Sequence, residues 1–383
     1  MGPNPNDLNP DFLGKGMRKE ELRGIAAIVG TVVGAGTLGI PYVFAQSGFL
    51  TGLLTLIIVG FMSTLVMLYT AEIVLRTREI RQMPGLAGKY LGKRGKHFML
   101  ALQVIGIYGA LMAYLAGIGV SFRDILGGDS LLYSTIFLIF AFPVVYKGLR
   151  MIEEVEGFLL VIKVLLISIL CLLLLPEIKL ENLSQFDLRL WLYPYGVLMF
   201  AWSGYTVIPN LERIMEKDKK RMKKVILLAM FFCFLIYFGF ALAFVGALDG
   251  EVEEIATESM KGDILASLFA IFLLSTPFLI LSWVLKDIFK YDYKVPEFPS
   301  SLLSCVLPFL FLIAARPTFI QMLDVSGGYA VSLTYILTAL MVKRARKMGD
   351  EKPEFQVPLG DLPLFFLIVM GILGMVYTTI SLI

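Results

Sequence analysis

Long apolar runs constrain this chain more than any other feature of its sequence. A transmembrane α-helix needs about 20 mostly apolar residues to cross the hydrocarbon core of a bilayer. Eleven segments meet that requirement, and we number them spans 1 to 11 in chain order. Their approximate limits are 22–46, 49–75, 97–121, 130–147, 155–175, 190–214, 224–248, 262–288, 298–315, 319–342 and 361–382. The pattern predicts an all-α polytopic membrane protein, with residues 1–383 forming a single transmembrane domain.

The composition supports this fold class and argues against an enzyme. Hydrophobic residues make up 57% of the chain and charged residues 17%, and the charges cluster between the apolar runs. Soluble domains are about half apolar and about a quarter charged. With one histidine and three cysteines the chain shows no cluster of metal ligands and no catalytic constellation, so we expect no enzyme and no resident cofactor. The formal charge of +3 does not indicate nucleic-acid binding, because topology distributes the basic residues.

The positions of lysine and arginine predict the orientation in the membrane. Basic residues accumulate in the cytoplasmic loops of membrane proteins. If the N-terminus is cytoplasmic, 28 of the 34 basic residues lie in inner segments, five lie in outer loops, and Lys163 remains inside span 5. An odd number of spans then places the C-terminus outside. We expect an integral protein of the plasma membrane, whose oligomeric state the sequence does not predict.

Span 1 contains residues that a simple membrane-spanning helix would avoid. The segment "VGTVVGAGTLGIPYVFAQSGF" carries Gly30, Gly34, Gly36 and Gly39 and then Pro41. A glycine costs about 1 kcal/mol in a helix relative to alanine, and a proline lacks the N–H that would bond the carbonyl four residues earlier. Unbonded backbone groups persist in a membrane only where they line a cavity or meet a ligand. The segment therefore predicts a broken helix, although GxxxG is also a packing motif.

Span 6 repeats this feature. "AGTLGIP" at 35–41 matches "SGYTVIP" at 203–209 in its glycine, isoleucine and proline, at an offset of five spans. An odd offset places the two segments in opposite orientations, which is typical of an inverted repeat. We expect repeat one at about 22–175, repeat two at about 190–342 and an extra helix at about 361–382. Two breaks at mid-membrane would offer N–H groups to a carboxylate and carbonyl groups to an ammonium, as a zwitterion requires.

Several of these segments resemble the amino acid/auxin permease and aromatic amino acid permease group of the amino acid–polyamine–organocation superfamily. The resemblance lies in "GIAAIVGTVVGAGTLGIPYVFAQSGF" of span 1 and "FAWSGYTVIPNLERIM" of span 6. "IYGALMAYLAG" and "FIQMLDVSGGYAVSLTYILTALMV" resemble its spans 3 and 10. The resemblance implies a LeuT-type fold with a 5+5 inverted repeat. In that fold a bundle of spans 1, 2, 6 and 7 moves against a scaffold of spans 3, 4, 8 and 9, and substrate binds between the broken helices.

The resemblance also implies a set of substrate-binding residues. Tyr108 of span 3 is the expected pocket wall, and Trp202 is also a candidate side-chain gate. Span 6 lacks the "SFGFH"-like run typical of aromatic permeases, which argues against tryptophan or tyrosine as the substrate. The residues expected to present backbone groups are Gly34, Ala35, Gly36 and Thr37 in span 1, and Phe200, Trp202, Ser203 and Gly204 in span 6.

The sequence contains two alternative candidate sites for ion coupling. Lys163 lies about 10 Å inside span 5, and an ionisable residue at such a depth is a functional-site hypothesis. Proton-coupled members of the superfamily carry a lysine on this span, although snorkelling to the inner headgroups would also explain it. Sodium-coupled members use carbonyls of span 1 and two hydroxyls of span 8. The corresponding residues are Gly30, Val33, Ser275 and Thr276, whose hydroxyls could instead bond the preceding turn.

We expect a secondary active transporter that carries small neutral amino acids together with a proton by alternating access. The absence of ionisable residues at the two predicted breaks favours a neutral substrate. A sodium-coupled symporter and a non-transporting amino acid sensor with the same pocket remain alternatives. Glu72 and Asp287, near the inner ends of their spans, are expected to be solvated or to form gating salt bridges, and Asp324 is a candidate outer gate. The expected partners are an amino acid and the lipid bilayer.

Overall fold

The computed structural model describes residues 18–79, 81–147, 152–260, 262–358 and 360–382, with the backbone alone for 152–159 and for residue 292. Within these ranges all regular structure is helical. The α-helices of spans 1 to 5 are α1 (Lys19–Val32), α2 (Gly36–Ser47), α3 (Phe49–Leu75), α4 (Met83–Leu126), α5 (Ser130–Lys147) and α6 (Ile152–Leu174). Those of spans 6 to 11 are α7 (Tyr195–Ala201), α8 (Ile208–Ile214), α9 (Met222–Leu248), α10 (Ile264–Asp287), α11 (Glu297–Ala315), α12 (Phe319–Val325), α13 (Ser332–Met348) and α14 (Leu362–Ser381).

The helices confirm the all-α membrane architecture. Among the described residues nine helical stretches are long and apolar enough to cross a membrane, and the bent pair α1 and α2 makes a tenth. α3 and α5 coincide with the predicted limits of spans 2 and 4. Span 6 is split into α7 and α8, each seven residues long, so neither helix crosses a membrane alone. The count of eleven spans and the inverted repeat therefore stay predictions.

The helix that contains span 3 begins well before the apolar segment that predicts the span. α4 has 44 residues, but Gly92 within it has φ +81°, a left-handed conformation that only glycine adopts readily. This residue separates a polar stretch of helix, 83–91, from the apolar stretch that continues to Leu126. Hydropathy alone detects only the apolar part, which is why the predicted span started at 97.

The helices pack into two groups joined by span 10. α9 contacts α1, α2 and α3, and α7 contacts α2 and α3. In the second group α4 packs along α10 and α5, and α11 packs against all three. The helices of span 10 touch both groups, because α12 contacts α4 and α7 while α13 contacts α3 and α4. This grouping places spans 1, 2, 6 and 7 together and spans 3, 4, 8 and 9 together.

Candidate functional site

The break in span 1 lies at residues 33–35. α1 ends at Val32, Val33 leaves the helical conformation with ψ 87°, and α2 begins at Gly36 after a bend of 58°. The Thr37 N–H bonds the Gly34 carbonyl at 3.0 Å, so a tight turn replaces the regular helical bonds. A methyl group added at Gly34 would meet no atom of the described residues within 4 Å. The predicted discontinuity of span 1 is confirmed, and open space lies beside it.

Pro41 does not make this break. It lies inside α2, five residues after the helix begins. Gly36 has the larger effect on packing at the break, because a methyl group there would lie 2.7 Å from the Cα atom of Ala201. The absence of a side chain at Gly36 therefore allows the start of α2 to touch the end of α7, and the two breaks meet.

The break in span 6 lies at Trp202 and Ser203. α7 ends at Ala201, and a 3₁₀ turn from Gly204 to Val207 leads into α8. The Ser203 hydroxyl donates to the Phe200 carbonyl at 2.6 Å, and the Ser203 N–H bonds the same carbonyl. The predicted discontinuity of span 6 is thus also confirmed.

Pro209 has a different role from the one that the sequence suggested. It lies in the first turn of α8, where a proline costs no helical hydrogen bond. The Tyr205 carbonyl, which Pro209 cannot bond, accepts instead from the Ile208 N–H. This carbonyl is therefore satisfied within the chain and is not open to a ligand.

Tyr237 of α9 joins the two breaks, and the sequence did not reveal it. Its hydroxyl oxygen lies 2.6 Å from the Val32 carbonyl oxygen and 2.8 Å from the Ala201 carbonyl oxygen. These are the last residues of α1 and α7. A tyrosine within the apolar run "FFCFLIYFGFAL" has no pattern that would distinguish it from its aromatic neighbours.

Trp202 and Thr37 bring further polar atoms to this place. The Trp202 ring is 1% exposed and meets the Tyr237 ring edge-on, with centroids 5.1 Å apart. Its indole nitrogen is buried without a hydrogen-bond partner in the described part of the chain. The fully buried Thr37 hydroxyl lies beside the Tyr237 hydroxyl, outside hydrogen-bonding geometry. Buried donors without partners are rare, so these atoms mark a site that a polar ligand could complete.

The tyrosine predicted for span 3 faces another helix. The Tyr108 hydroxyl donates to the Leu303 carbonyl of α11 at 3.0 Å, and its ring packs against Phe311. Tyr114, 4% exposed, lies within electrostatic range of Tyr237 instead. Side chains six residues apart on an α-helix point about 120° away from each other, so Tyr108 and Tyr114 cannot both face the breaks. Nothing in the single sequence indicated which one.

The residues of the two coupling hypotheses lie on neighbouring helices. α6, which carries Lys163, packs against α1, α9 and α10, and the Lys163 side chain is 7% exposed. On α10, the Thr276 hydroxyl bonds the Phe272 carbonyl of its own helix at 3.3 Å, and Ser275 is half-buried. On span 1, Gly30 is half-buried and Val33 is buried. The bond of the Thr276 hydroxyl to the preceding turn is the structural alternative to sodium binding that the sequence left open.

Three carboxylates outside the breaks form further features of the molecule. Glu72 is fully buried and pairs with Arg346 at 2.8 Å, so it is not a solvated charge. Asp324 is half-buried against α7, with one carboxylate oxygen lacking a partner among the described residues.

In the loop after α9, burial and the nearby Asp124 carboxylate raise the pKa of Glu258 to about 8, although Arg123 opposes the shift.

Comparison with known proteins gives a consistent family assignment. The model of the Tryptophan/tyrosine permease family matches residues 17–378. The protein named Tyrosine-specific transport system 1, of Haemophilus influenzae, is 26% identical over 379 residues, which cover 90% of this chain and 93% of that protein. The protein named Glutamine transporter 2, of Aliivibrio fischeri, is 25% identical over 379 residues, covering 92% of this chain and 98% of that protein.

A solved structure supports the fold. The crystal structure of MhsT in complex with L-phenylalanine superposes with a TM-score of 0.67 at 17% identity, covering 96% of this chain and 100% of that one. At this identity the similarity establishes the fold alone. The fold is the LeuT type that the sequence resemblance implied.

Proposed function

The chain belongs to the tryptophan/tyrosine permease family, and on that basis we propose that it is a proton-coupled symporter of small neutral amino acids that works by alternating access. The observation that carries the proposal is the meeting of two broken helices at Gly36 and Ala201, beside open space at Gly34. The curated relatives are named as transporters of tyrosine and of glutamine, and both are zwitterionic amino acids.

The chemistry of the breaks supports a neutral amino acid. Residues 33–35 and 202–203, which form the breaks, include no ionisable side chain. A charged substrate side chain would need an opposite charge nearby, because an unpaired charge is costly to bury. The Trp202 and Tyr237 side chains are buried at the junction and their rings meet edge-on, and two large rings beside the breaks favour a small substrate side chain.

The grouping of the helices supports alternating access. The breaks lie between α1 and α2 and between α7 and α8, within the group of spans 1, 2, 6 and 7. The other group, built on α4 and α10, would provide the opposite wall. A movement of one group relative to the other would expose the junction to each side of the membrane in turn, as in other transporters built from broken helices.

Lys163 supports coupling to protons. Its helix touches α1, which ends at the junction, so a change of charge there can act on the break through direct packing. An ionisable side chain inside a membrane span is a functional-site hypothesis, and a lysine can bind and release one proton within a cycle. This proposal requires no metal ion.

A binding panel tests the substrate class. Purified protein in detergent is heated with each of the twenty amino acids, and bound ligand raises the melting temperature. We expect the largest shifts for alanine, serine and similar small neutral residues. A shift confined to tyrosine or to glutamine would overturn the small-substrate proposal and retain amino acid transport, whereas no shift with any of the twenty would overturn both.

Lys163→Ala tests the coupling ion. In proteoliposomes we expect wild-type uptake to be driven by an inward proton gradient without sodium, and Lys163→Ala to lose that accumulation, whereas Lys352→Ala, at an exposed lysine, retains it. Accumulation by Lys163→Ala equal to wild type would overturn proton coupling through this residue. Uptake that requires a sodium gradient would favour the site of Gly30, Val33, Ser275 and Thr276.

A further inference from the structure

Span 10 carries a carboxylate that has no cationic partner among the described residues. Asp324 lies five residues after the first residue of α12, about 8 Å along the helix at 1.5 Å per residue. One of its carboxylate oxygens is buried without a hydrogen-bond partner, and in the described chain no cationic side chain acts on the group. A charge buried without a partner is costly, whereas a neutral carboxyl is not. An ionisable group in such a place is a functional-site hypothesis.

The groups around Asp324 provide no compensating positive charge. Ser381 of α14 lies beside the carboxylate, but its hydroxyl donates to a carbonyl of its own helix at 3.0 Å. The Tyr377 phenol of α14 lies within electrostatic range. One helical turn before Asp324, the Ile320 N–H donates to a second carboxylate, that of Glu254, at 3.2 Å. The ionisable side chains of α2, of α7 and of the stretch of α4 that faces α12, 109–117, are Tyr42, Tyr195 and Tyr114.

Asp324 is in direct contact with the helix that leads to the break in span 6. Its side chain occupies the space that a side chain at Gly196 would need, and the Gly196 N–H lies beside the carboxylate. The first N–H groups of a helix carry partial positive charge, so a charged Asp324 attracts this turn of α7 more strongly than a neutral one. α7 ends at Ala201, about 8 Å further along. The charge of Asp324 therefore acts on the break through one short helix.

We propose that Asp324 binds one proton in each transport cycle and that its charge sets how tightly span 10 packs on α7. The proton passes from water to a carboxylate oxygen, forms an O–H bond there and leaves to water on the other side of the membrane, so no other bond changes. The inference rests on the proposed function, because it adds a second coupling residue to the same cycle. Lys163 lies on α6, which packs against α1, so each broken span has an ionisable side chain on a helix next to it.

The test separates exchange of amino acids from their accumulation. Asp324→Asn keeps the shape of the side chain but cannot bind a proton. Uptake of labelled L-alanine, L-glutamine and L-tyrosine is measured in proteoliposomes, either in exchange for the unlabelled amino acid or under an inward proton gradient. We expect Asp324→Asn to exchange within about twofold of wild type but to accumulate about tenfold less per pH unit of gradient, since one proton fewer is carried. Asp129→Asn is the matched control, because Asp129 is exposed and accepts from the Leu132 N–H in the first turn of α5.

The outcomes distinguish the inference from the proposed function. Accumulation by Asp324→Asn equal to that of wild type would overturn the inference and leave the proposed function standing. A loss of exchange and accumulation by the same factor would show a structural role and also overturn it, as would an equal loss of accumulation in Asp129→Asn. Wild-type protein that exchanges amino acids but does not accumulate them under the gradient would overturn the proposed proton coupling itself.

A measurement on the unsubstituted chain covers the case in which Asp324→Asn does not fold. Dicyclohexylcarbodiimide reacts with protonated carboxyl groups in apolar surroundings, and mass spectrometry locates the product. We expect label at Asp324, more at acidic than at alkaline pH, and none at Glu72, which is fully buried but paired with Arg346. Absence of label at Asp324 at every pH would overturn the inference.

Discussion

Single glycines determine whether the two broken helices can meet. A methyl group at Gly36 would lie 2.7 Å from the Cα atom and 2.8 Å from the Cβ atom of Ala201, and backbone cannot move aside as a flexible side chain can. We expect Gly36→Ala to lower the free energy of unfolding by about 1–3 kcal/mol, as overpacking of a core does. Thermal unfolding in detergent, with wild type beside it, measures the change.

Gly34, two residues earlier, provides the control. Because a methyl group there meets no atom of the described residues within 4 Å, Gly34→Ala should unfold within 1 °C or so of wild type. Gly34→Leu should also keep its melting temperature but lose the shift caused by amino acids, since the leucine would occupy the open space. Equal destabilisation by Gly36→Ala and Gly34→Ala would contradict the contact between Gly36 and Ala201.

At the scale of the helix, one buried carboxylate connects three parts of the chain. Glu72 near the end of α3 accepts from Arg346 of α13 through two nitrogens, at 2.8 and 2.9 Å, and from the Val357 N–H at 3.1 Å. It is fully buried, and Arg76 adds a further bond at 3.1 Å. The carboxylate therefore joins span 10 and the loop after it to the C-terminal end of α3.

Removal of this charge should be costly. Glu72→Gln leaves Arg346 without its anion in a partly buried position, and breaking such a pair destabilises proteins by about 3–5 kcal/mol. Glu79→Gln removes an ion pair with Arg81 in which the Glu79 side chain is 72% exposed. This change should cost less than about 1 kcal/mol. The difference in melting temperature between the two variants measures the effect, and similar values would show that the buried pair adds nothing.

The limits of helices were predictable where polarity changes abruptly and not elsewhere. α3 ends at Leu75, just before Arg76, and α5 ends at Lys147, so hydropathy alone locates the C-terminal ends of both helices. The helix at 83–91 is polar, and its junction with span 3 depends on the conformation of Gly92, which hydropathy does not report. The breaks of spans 1 and 6 were predictable because glycine changes backbone energetics locally, whereas Pro41 and Pro209 lie inside the helices that follow the breaks.

The partners of those breaks were not predictable in the same way. Tyr237 of α9 reaches the junction, and Tyr114 of α4 lies within electrostatic range of Tyr237, and both helices approach these positions only after the chain has folded. Their positions depend on helix rotation, and a single sequence with apolar residues on every side of these helices does not specify rotation. The resemblance indicates Tyr108 in span 3, but the Tyr108 hydroxyl bonds the Leu303 carbonyl of α11.

At the scale of the whole molecule, the helices form two packed groups with span 10 between them. Span 10, through α12 and α13, and span 5, through α6, contact both groups, so a movement of one group relative to the other must change the contacts of these two spans. A π-helical stretch, Ser326–Val331, separates α12 from α13, and such stretches often mark functional positions in helices. Its Gly327 approaches the backbone of α7 so closely that a side chain would not fit.

The orientation of the molecule follows from charge and is open to direct measurement. With 28 basic residues in inner segments and five in outer loops, the loop after α9 should face outward and the loop after α13 inward. Glu251→Cys and Glu354→Cys place a thiol at exposed glutamates in these two loops. In intact cells, a membrane-impermeant maleimide should label Glu251→Cys and not Glu354→Cys, and both should react after permeabilisation. The unsubstituted chain is the control for its own Cys171, Cys233 and Cys305, and the reverse labelling pattern would place the N-terminus outside.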